Sequence, residues 1–367
     1  MLLSLGIFFL PGRSRHQVTC VDREMGGRIR GVKLHPPKRP AQTNFIHNPS
    51  PAPELRPMEF CPSDRRAPRH VVEIEGWRYE YAVFENEIEN EIEIEDGIEI
   101  EIEGGDGVRR RTVVALHGFA RCVEDWAVVA EAWPEPVRIV AVHLPHHGAS
   151  GPVDPALPED AAVTPEALSR ALLQVAEQAG AGGSTVDLVG YSIGGRVAFA
   201  VLVADPMRWG RVVLLAPDGL RKSPFYDVTV NGRWGGWIWR AIDRRAERVL
   251  HISDQLLQLR LISKHLHGFG RFHLETAEMR RMVWLGWRAH RLCWPRVAEI
   301  RAALALHPGP VDLVFGDRDR IIPPRNGRTL QRRTAGLGHV HFHTVPSGHV
   351  MLKRDVLAAV FARIFPG

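Results

Sequence analysis

From residue 112 onward, short apolar runs alternate with amphipathic stretches. The runs have the length and continuous hydrophobicity of strands that are buried on both faces of a sheet. They are Thr112–Leu116, Arg138–Leu144, Thr185–Val189, Arg211–Leu215, Val311–Phe315 and His339–Val345. The stretches between and after them predict helices over 123–133, 165–179, 194–204, 325–336 and 351–365. This alternation predicts an α/β fold with a mostly parallel central sheet flanked by helices.

A hairpin is predicted at the start of the folded part, because residues 71–75 and 77–84 alternate in polarity around Gly76. A low-complexity Glu/Ile/Asn tract at 85–106 follows, and its period of two also permits strands that turn at Asp96. A two-residue turn would mix glutamate and isoleucine on each face, whereas a three-residue loop would separate them. We expect the tract to be an outward extension of the hairpin or disordered, without a chemical role.

Two further regions depart from the alternation of strands and helices. Residues 1–69 are rich in proline and arginine without a sustained period, as is typical of a flexible or non-native extension. Their apolar start is too short to span a bilayer and has no basic segment before it, so we do not expect a secretory signal. Residues 218–296 have a helical pattern and lie between two sheet strands. We therefore expect a core of 70–217 and 297–367 with residues 218–296 inserted as a helical cap.

The formal net charge of +5 averages over regions of opposite sign. Residues 1–69 carry +7, the Glu/Ile tract carries −11 and residues 219–296 carry +9, which leaves the rest neutral. Since much of the basic charge lies outside a folded recognition element, we expect no nucleic-acid partner. The cysteines form no CxxC pair, which favours reduced thiols in a cytoplasmic protein over a disulfide framework or a zinc site.

The sharpest chemical signal is the segment GYSIGG at residues 190–195, which follows an apolar strand and opens a helix. Ser192 between two glycines at such a turn is a nucleophile elbow. The glycines are needed because the turn is too tight for Cβ atoms near the serine. The start of the helix also offers free N–H groups where an oxyanion would form.

With this motif the chain resembles the α/β-hydrolase superfamily, from about residue 70 to the end apart from the Glu/Ile tract, and most weakly across the cap. The segment HGFA at 117–120 follows the first long parallel strand and is similar to the family's oxyanion loop. The resemblance implies that Ser192 is the nucleophile and that the backbone N–H groups of Phe119 and Ile193 are the oxyanion donors.

The segment HLPHHGAS at 143–150 is similar to the family's Asp-x-Pro-Gly-His-Gly-x-Ser loop. It departs from that pattern at His143, where aspartate is usual, and at His146, where glycine is usual, which puts the local loop conformation in doubt. Three histidines in five residues also invite a metal interpretation, but no carboxylate or cysteine partner is evident and no metal site is expected. His341 and His343 are expected to be ordinary strand residues.

The acid and the base are also implied by the resemblance. Residues 311–324 are similar to the family's Gly-x-x-Asp-x-x-x-Pro loop, and the spacing selects Asp319. Asp317 and, more distantly, Asp218 are the alternatives. The base is His349, which occupies the family's terminal Gly-His position. The chain order serine, acid, histidine is the order expected for this fold.

These implied residues predict a serine hydrolase that cleaves a small ester or a related carbonyl compound through an acyl-enzyme. The alternatives are a carbon–carbon bond hydrolase or acyltransferase of the same fold, and a non-catalytic binding protein. His117, Tyr191 and Trp237 are the candidate substrate contacts, although most tryptophans of the cap are expected to pack its helices together. No cofactor is expected. The expected partner is a small-molecule substrate, without nucleic acid and without stable membrane insertion.

Overall fold

The computed structural model describes residues 67–86, 110–221 and 226–365. Predictions for residues 1–66 of the N-terminal extension, and for all but the first two residues of the Glu/Ile tract, lie outside the described residues. In the part of the chain that is described, no helix combines the length and the apolar character needed to cross a membrane.

A central sheet of nine strands organises the described residues. The strands are β1 (Arg69–Ile74), β2 (Trp77–Glu85), β3 (Arg111–Leu116), β4 (Val137–Val142), β5 (Gly151–Pro152), β6 (Val186–Tyr191), β7 (Trp209–Leu215), β8 (Val311–Gly316) and β9 (Val340–Val345). Their order is β1-β2-β4-β3-β6-β7-β8-β9, and β5 pairs with β2. Strands from β4 to β9 in this order run parallel, and β2 joins them antiparallel through β4.

The predicted strands are all present, with ends within two residues of the predicted ones. The hairpin is confirmed as well: β1 and β2 pair antiparallel across a turn at Glu75 and Gly76, both of which have positive φ. The mostly parallel sheet is therefore confirmed. Strands β3, β6 and β8 are almost wholly buried, which explains why they are continuous apolar runs in the sequence.

Helices cover both faces of the sheet. They are α1 (Ala127–Ala132), α2 (Pro165–Gln178), α3 (Ile193–Ala204), α4 (Gly235–Arg244), α5 (Ala246–Gln258), α6 (Lys264–Leu274), α7 (Ala277–Ala289), α8 (Val297–Leu306), α9 (Arg328–Thr334) and α10 (Arg354–Ile364). One apolar cluster packs α2, α3 and α8 against the sheet. A second packs α1 and α10 against the other face, because successive strand residues point to opposite sides.

Helices α4–α7 lie in the chain between β7 and β8, within the region predicted as a helical insert. Since β7 and β8 are adjacent and parallel, the connection leaves the sheet at the edge where the parallel strands end. That edge is also where β6 passes into α3, so these helices are placed near the candidate chemistry. Their short loops keep α4, α5, α6 and α7 consecutive neighbours.

Candidate active site

Ser192 lies at the junction of β6 and α3 in a strained backbone conformation, with φ of 55° and ψ of −115°. Two hydrogen bonds from neighbouring chain segments hold it there. The Ser192 N–H donates to the Leu215 carbonyl (3.0 Å), and the Ser192 carbonyl accepts from the Asp218 N–H (2.9 Å). The end of β7 therefore fixes the turn that presents the serine.

The glycines around Ser192 allow close approach of other backbone segments. A Cβ on Gly194 would lie 2.1 Å from the Leu116 carbonyl oxygen, and one on Gly195 would lie 2.8 Å from Pro217 Cα. A Cβ on Gly190 would lie 2.6 Å from the carbonyl oxygen of Gly194. Any side chain at these positions would push α3 away from the strands, which is the physical reason for the sequence pattern.

The structure brings Ser192, His349 and Asp319 together in one hydrogen-bonded chain. His349 Nε2 is 3.1 Å from Ser192 Oγ, and His349 Nδ1 is 2.8 Å from Asp319 Oδ2. A carboxylate can only accept, so Nδ1 carries the proton and Nε2 is left free to accept from the serine hydroxyl. These residues are 157 and 30 positions apart in sequence, so only the fold could align them.

The Asp319 carboxylate is buried, and hydrogen bonds keep it ionised. Oδ1 accepts from the backbone N–H groups of Ile321 (2.8 Å) and Ile322 (2.9 Å). Burial by itself would raise the pKa of Asp319. The hydrogen bond and charge of His349, together with the two amides, outweigh burial and lower the pKa below its ordinary value.

The two alternative acids have other surroundings. Asp317 is exposed and pairs with Arg318 (3.3 Å). Asp218 lies 3.4 Å from Arg196, a buried arginine on α3. The carboxylate in hydrogen-bond contact with His349 is that of Asp319.

Tyr191 contacts both the backbone and the ring of His349. Its hydroxyl donates to the His349 carbonyl (2.9 Å), and its ring lies 5.5 Å from the imidazole, centroid to centroid. Tyr191 is buried, and burial raises the pKa of its hydroxyl, so it remains a neutral donor. Tyr191 was predicted as a substrate contact, and the contacts that it makes in the structure fix the position of the histidine.

The backbone N–H groups of Phe119 and Ile193 both have free hydrogen-bonding capacity. No described residue accepts a hydrogen bond from either one. Ile193 is the first residue of α3, where the N–H groups have no partner inside the helix. Gly118 lets the loop approach closely, since a Cβ there would lie 3.0 Å from the Tyr191 ring.

Three buried histidines fasten the loop that carries Phe119. Each ring accepts a backbone N–H on Nε2: Ala120 donates to His147 (3.2 Å), Val123 donates to His143 (3.1 Å) and Leu144 donates to His117 (3.1 Å). In two of these bonds the 117–123 loop donates to rings of the 143–147 loop. In the third, the 143–147 loop donates to the ring of His117. Sequence reasoning noted these histidines but did not predict this function for them.

The rings of His117 and His147 are neutral. Their Nδ1 atoms donate to the carbonyls of Gly118 (2.6 Å) and Pro145 (3.3 Å), which places the lone pair on Nε2. Burial lowers the pKa of His147 to about 3 and that of His117 well below its ordinary value. His117 has no exposed surface and both ring nitrogens are engaged, which leaves it no atom to present to a substrate.

His143, which stands where the family pattern has aspartate, contacts a buried carboxylate on β2. Glu80 Oε2 is 2.8 Å from His143 Nδ1 and accepts from the Ala149 N–H at 2.8 Å. Burial would raise the pKa of Glu80, but these hydrogen bonds and the nearby Arg69 lower it to about 2. A histidine at an aspartate position is the signal that could have predicted an acidic partner. His146, at the usual glycine position, adopts a φ of 65°.

Helices α4, α6 and α7 contact the Phe119 loop. The Phe119 ring stacks on His273 of α6 at 5.2 Å, and Ala120 is buried in a cluster with Trp239 and Met279. Gly286 of α7 brings the helix against the Phe119 ring, since a Cβ there would lie 3.5 Å from it. The insert therefore packs directly on the loop beside Ser192.

The tryptophans of residues 218–296 divide into two groups. Trp239 stacks on Trp284 (5.8 Å) and lies 6.0 Å from Trp287, while Trp294 donates to the Gly219 carbonyl (2.8 Å). Trp234 and Trp237 are instead exposed. Trp237, predicted as a substrate contact, is not among the residues that pack with Phe119.

No group of three or more His, Cys, Asp or Glu side chains among the described residues is arranged to hold a metal ion. The histidines of the 117–147 region use their nitrogens for backbone groups and for Glu80, as described above. The groups that the structure brings together beside Ser192 are the imidazole of His349 and the carboxylate of Asp319.

Comparison with known proteins identifies the family. A family model described as "Alpha/beta hydrolase family" matches residues 113–362. The chain belongs to the α/β-hydrolase family. Its match spans every parallel strand except the first two residues of β3, and it contains Ser192, Asp319 and His349.

Two curated relatives are dihydrolipoyllysine-residue acetyltransferase components of acetoin cleaving systems. The one from Pseudomonas putida is 26% identical over 234 residues, covering 61% of this chain and 56% of the relative. The one from Cupriavidus necator is 27% identical over 180 residues, covering 44% and 45%. The chain thus spans about half the length of the curated relatives it matches.

Solved structures show the same fold at low identity. A putative lipase from Acinetobacter baumannii matches with a TM-score of 0.50 and 14% identity, covering 82% of this chain and 91% of the lipase. The α/β-hydrolase enzyme MGS-M2, from a deep-sea metagenome library, matches with 0.51 and 14%, covering 81% and 98%. A thioesterase domain of the curacin biosynthetic pathway matches with 0.50 and 14%, covering 82% and 99%.

Proposed function

We propose that the protein is a serine hydrolase that cleaves a small ester or a related carbonyl substrate. The observation that carries the proposal is the chain of hydrogen bonds from Ser192 through His349 to Asp319. Membership of the α/β-hydrolase family supports a hydrolase, and the chain order of the three residues agrees with that fold.

In the proposed reaction His349 Nε2 takes the proton of Ser192 as Oγ attacks the substrate carbonyl carbon. Asp319 holds the imidazole in the required tautomer and stabilises the imidazolium that forms. His349 then returns the proton to the leaving group as the tetrahedral intermediate collapses to an acyl-enzyme. Water activated by His349 attacks the acyl group and releases the acid with free Ser192.

The free amides of Phe119 and Ile193 are proposed to stabilise the oxyanion of the tetrahedral intermediate. A donor of this kind contributes roughly 3 kcal/mol to the transition state. The strained turn at Ser192 supports this assignment, because it places the serine at the first turn of α3 beside the Ile193 N–H. We also propose that residues 218–296 form a cap over the site at Ser192, since α6 and α7 pack on the Phe119 loop.

Acyl transfer is the second candidate function, and the curated relatives favour it because both are named as acetyltransferase components. The two functions share every step up to the acyl-enzyme. They differ in whether water or another nucleophile accepts the acyl group. Partition of the acyl group between water and an added alcohol, amine or thiol therefore distinguishes them.

The proposal is tested with a fluorophosphonate probe and a panel of p-nitrophenyl esters of increasing acyl length. We expect the probe to label the wild type and the control Ser253→Ala, in which a helix serine of α5 is removed. Ser192→Ala should remain folded, resist labelling and lose at least about 10⁴-fold in kcat. Absence of labelling at Ser192 in folded wild-type protein would overturn the serine mechanism and favour a binding function.

A further inference from the structure

Helices α4 and α5 and the turn that follows them present large apolar side chains to solvent. Trp234, Trp237, Ile252, Leu259 and Leu261 are each between 53 and 68% exposed. Exposed apolar side chains that are grouped in one region and accompanied by polar residues mark interaction sites on soluble proteins. We call this region, residues 233–264, the α4–α5 surface.

The exposed apolar residues follow the helical period. Trp234 and Trp237 are three positions apart at the start of α4, and Ile252 and Leu259 are seven apart at the end of α5, so each pair lies on one side of its helix. The inward side is different. Trp239, Val249 and Leu250 pack in the apolar cluster that contains Ala120. Both helices therefore carry a second apolar side, which is exposed to solvent and does not pack in this cluster.

The same surface is strongly basic. Seven exposed cations on it form no ion pair with a described residue: Arg233, Arg240, Arg244, Arg245, Arg248, Arg260 and Lys264. Two of the three acids in these helices are already neutralised, and the third is Glu247. Asp243 pairs with Arg280 (2.6 Å), and Asp254 pairs with His267 (2.6 Å) and with Arg271 (3.3 Å).

We propose that the α4–α5 surface docks on an anionic lipid bilayer. Helices that lie in the membrane interface combine exposed tryptophan and leucine with arginine and lysine, as these two do. The indoles and aliphatic side chains would enter the interface, and the unpaired cations would bind lipid phosphates. Each cation near an anionic membrane surface contributes about 1 kcal/mol.

Charge and position argue against four other occupants of this surface: a second copy of it, residues 1–69, the Glu/Ile tract and a nucleic acid. Residues 233–264 hold seven cations and three acids, a net charge of +4, so two copies of the surface would repel each other, and the surface would also repel the basic residues 1–69. The acidic Glu/Ile tract joins the described chain at Asn86 and Arg110, at the amino-terminal ends of the parallel strands, whereas α4 follows the carboxyl end of β7. A nucleic acid would bind the cations and leave the aliphatic residues exposed.

Docking would bring the site close to the bilayer, because α4 and α6 also pack on the Phe119 loop. The binding itself needs neither Ser192 nor hydrolysis. Ser192→Ala is therefore expected to bind vesicles like the wild type, and the two proposals can fail separately.

The test is flotation of the full chain with vesicles of phosphatidylcholine alone and of phosphatidylcholine mixed with phosphatidylglycerol. We expect binding to the anionic vesicles only, weakening as salt is added. Trp234→Ala/Trp237→Ala and Arg240→Glu/Arg244→Glu should each lower the binding constant on the order of tenfold or more. Leu259→Ser provides a second apolar variant in case the tryptophan pair does not fold, as judged by circular dichroism.

Matched controls replace equally exposed residues elsewhere. Met207→Ala/Leu306→Ala and Arg332→Glu/Arg333→Glu should bind anionic vesicles like the wild type. The proposal is overturned if anionic vesicles do not bind, if neutral vesicles bind equally, or if the α4–α5 variants bind no worse than the controls. Self-association that the tryptophan variant abolishes, or binding of single-stranded DNA in place of vesicles, would assign the surface to a second copy or to nucleic acid instead.

Discussion

At the scale of single residues, Asp319 sets the protonation of the site through its two oxygens. Oδ1 accepts two backbone amides and Oδ2 accepts from His349, so the carboxylate cannot rotate without losing hydrogen bonds. The imidazole is thereby held with its lone pair toward Ser192. Tyr191 adds a bond to the His349 carbonyl, which fixes the backbone of the same histidine.

Asp319→Asn is expected to lower kcat by about 10⁴-fold with little loss of stability. An amide can keep the contacts but can donate to Nδ1, which moves the imidazole proton to Nε2 and removes the base. Ester hydrolysis under saturating substrate measures the effect. Asp317→Asn is the matched control, because Asp317 is exposed and pairs with Arg318. Equal losses in the two variants would contradict the assignment of the acid.

At the scale of elements, the β6–α3 turn and the 117–123 loop are held in place in opposite ways. The turn relies on missing side chains, since a Cβ on Gly194 would collide with the Leu116 and His117 carbonyls. The loop relies on added side chains, the rings of His143 and His147, which accept its N–H groups. Both arrangements position backbone amides, those of Ile193 and Phe119, and the proposed oxyanion site requires amides at these places.

Gly194→Ala is expected to destabilise the protein by about 3 kcal/mol, because its Cβ would lie 2.1 Å from the Leu116 carbonyl oxygen and backbone must move. Gly268→Ala on α6 is the control, since a Cβ there meets nothing within 4 Å. It should stabilise the helix by roughly 0.5–1 kcal/mol. Urea midpoints of both variants measure the difference, and a neutral Gly194→Ala would refute the close approach.

His147→Ala should lower kcat about tenfold to a hundredfold with KM nearly unchanged, because the Ala120 N–H loses its acceptor and the Phe119 amide is no longer held in place. His147→Gln can still accept and should recover part of the activity. His341→Ala, at an exposed position on β9, is the control. A change confined to KM, or no recovery with glutamine, would indicate that His147 does not position the loop.

At the scale of the whole molecule, buried neutral histidines make stability depend on pH. Burial lowers the pKa of His146 to about 4 and that of His147 and His290 to about 3, with His117 well below its ordinary value. In the unfolded chain these residues take up protons below pH 6.5, while the folded chain does not. Stability is therefore complete above pH 6.5 and falls as the pH is lowered.

The expected loss is up to about 1.4 kcal/mol per pH unit for each of these histidines below pH 6.5. Free energies of unfolding from urea titrations between pH 8 and pH 4.5 measure the slope. Replacing His290 by Asn should make the slope shallower, because one protonating group is removed from the unfolded chain. A stability that rises on acidification, or an unchanged slope in the variant, would contradict this account.

The sequence by itself determined the central sheet and the serine turn. Both are local, since strand burial appears as continuous apolar runs and the tight turn demands glycines at fixed positions around Ser192. The order serine, acid, histidine is also contained in the chain. These features need no knowledge of distant contacts.

The resemblance to the family favoured Asp319 over Asp317, and the tertiary structure decided which carboxylate contacts His349 and what the buried histidines do. Asp317 and Asp319 are two residues apart and chemically identical, and only the path of the loop after β8 brings one of them to 2.8 Å from Nδ1. Likewise, the sequence predicted neither a metal site nor another role for the histidines of residues 143–147, and the fold directs the nitrogens of His143 and His147 to backbone N–H groups. Such pairings join residues far apart along the chain, and the packing of whole elements, which no local pattern records, sets their distances.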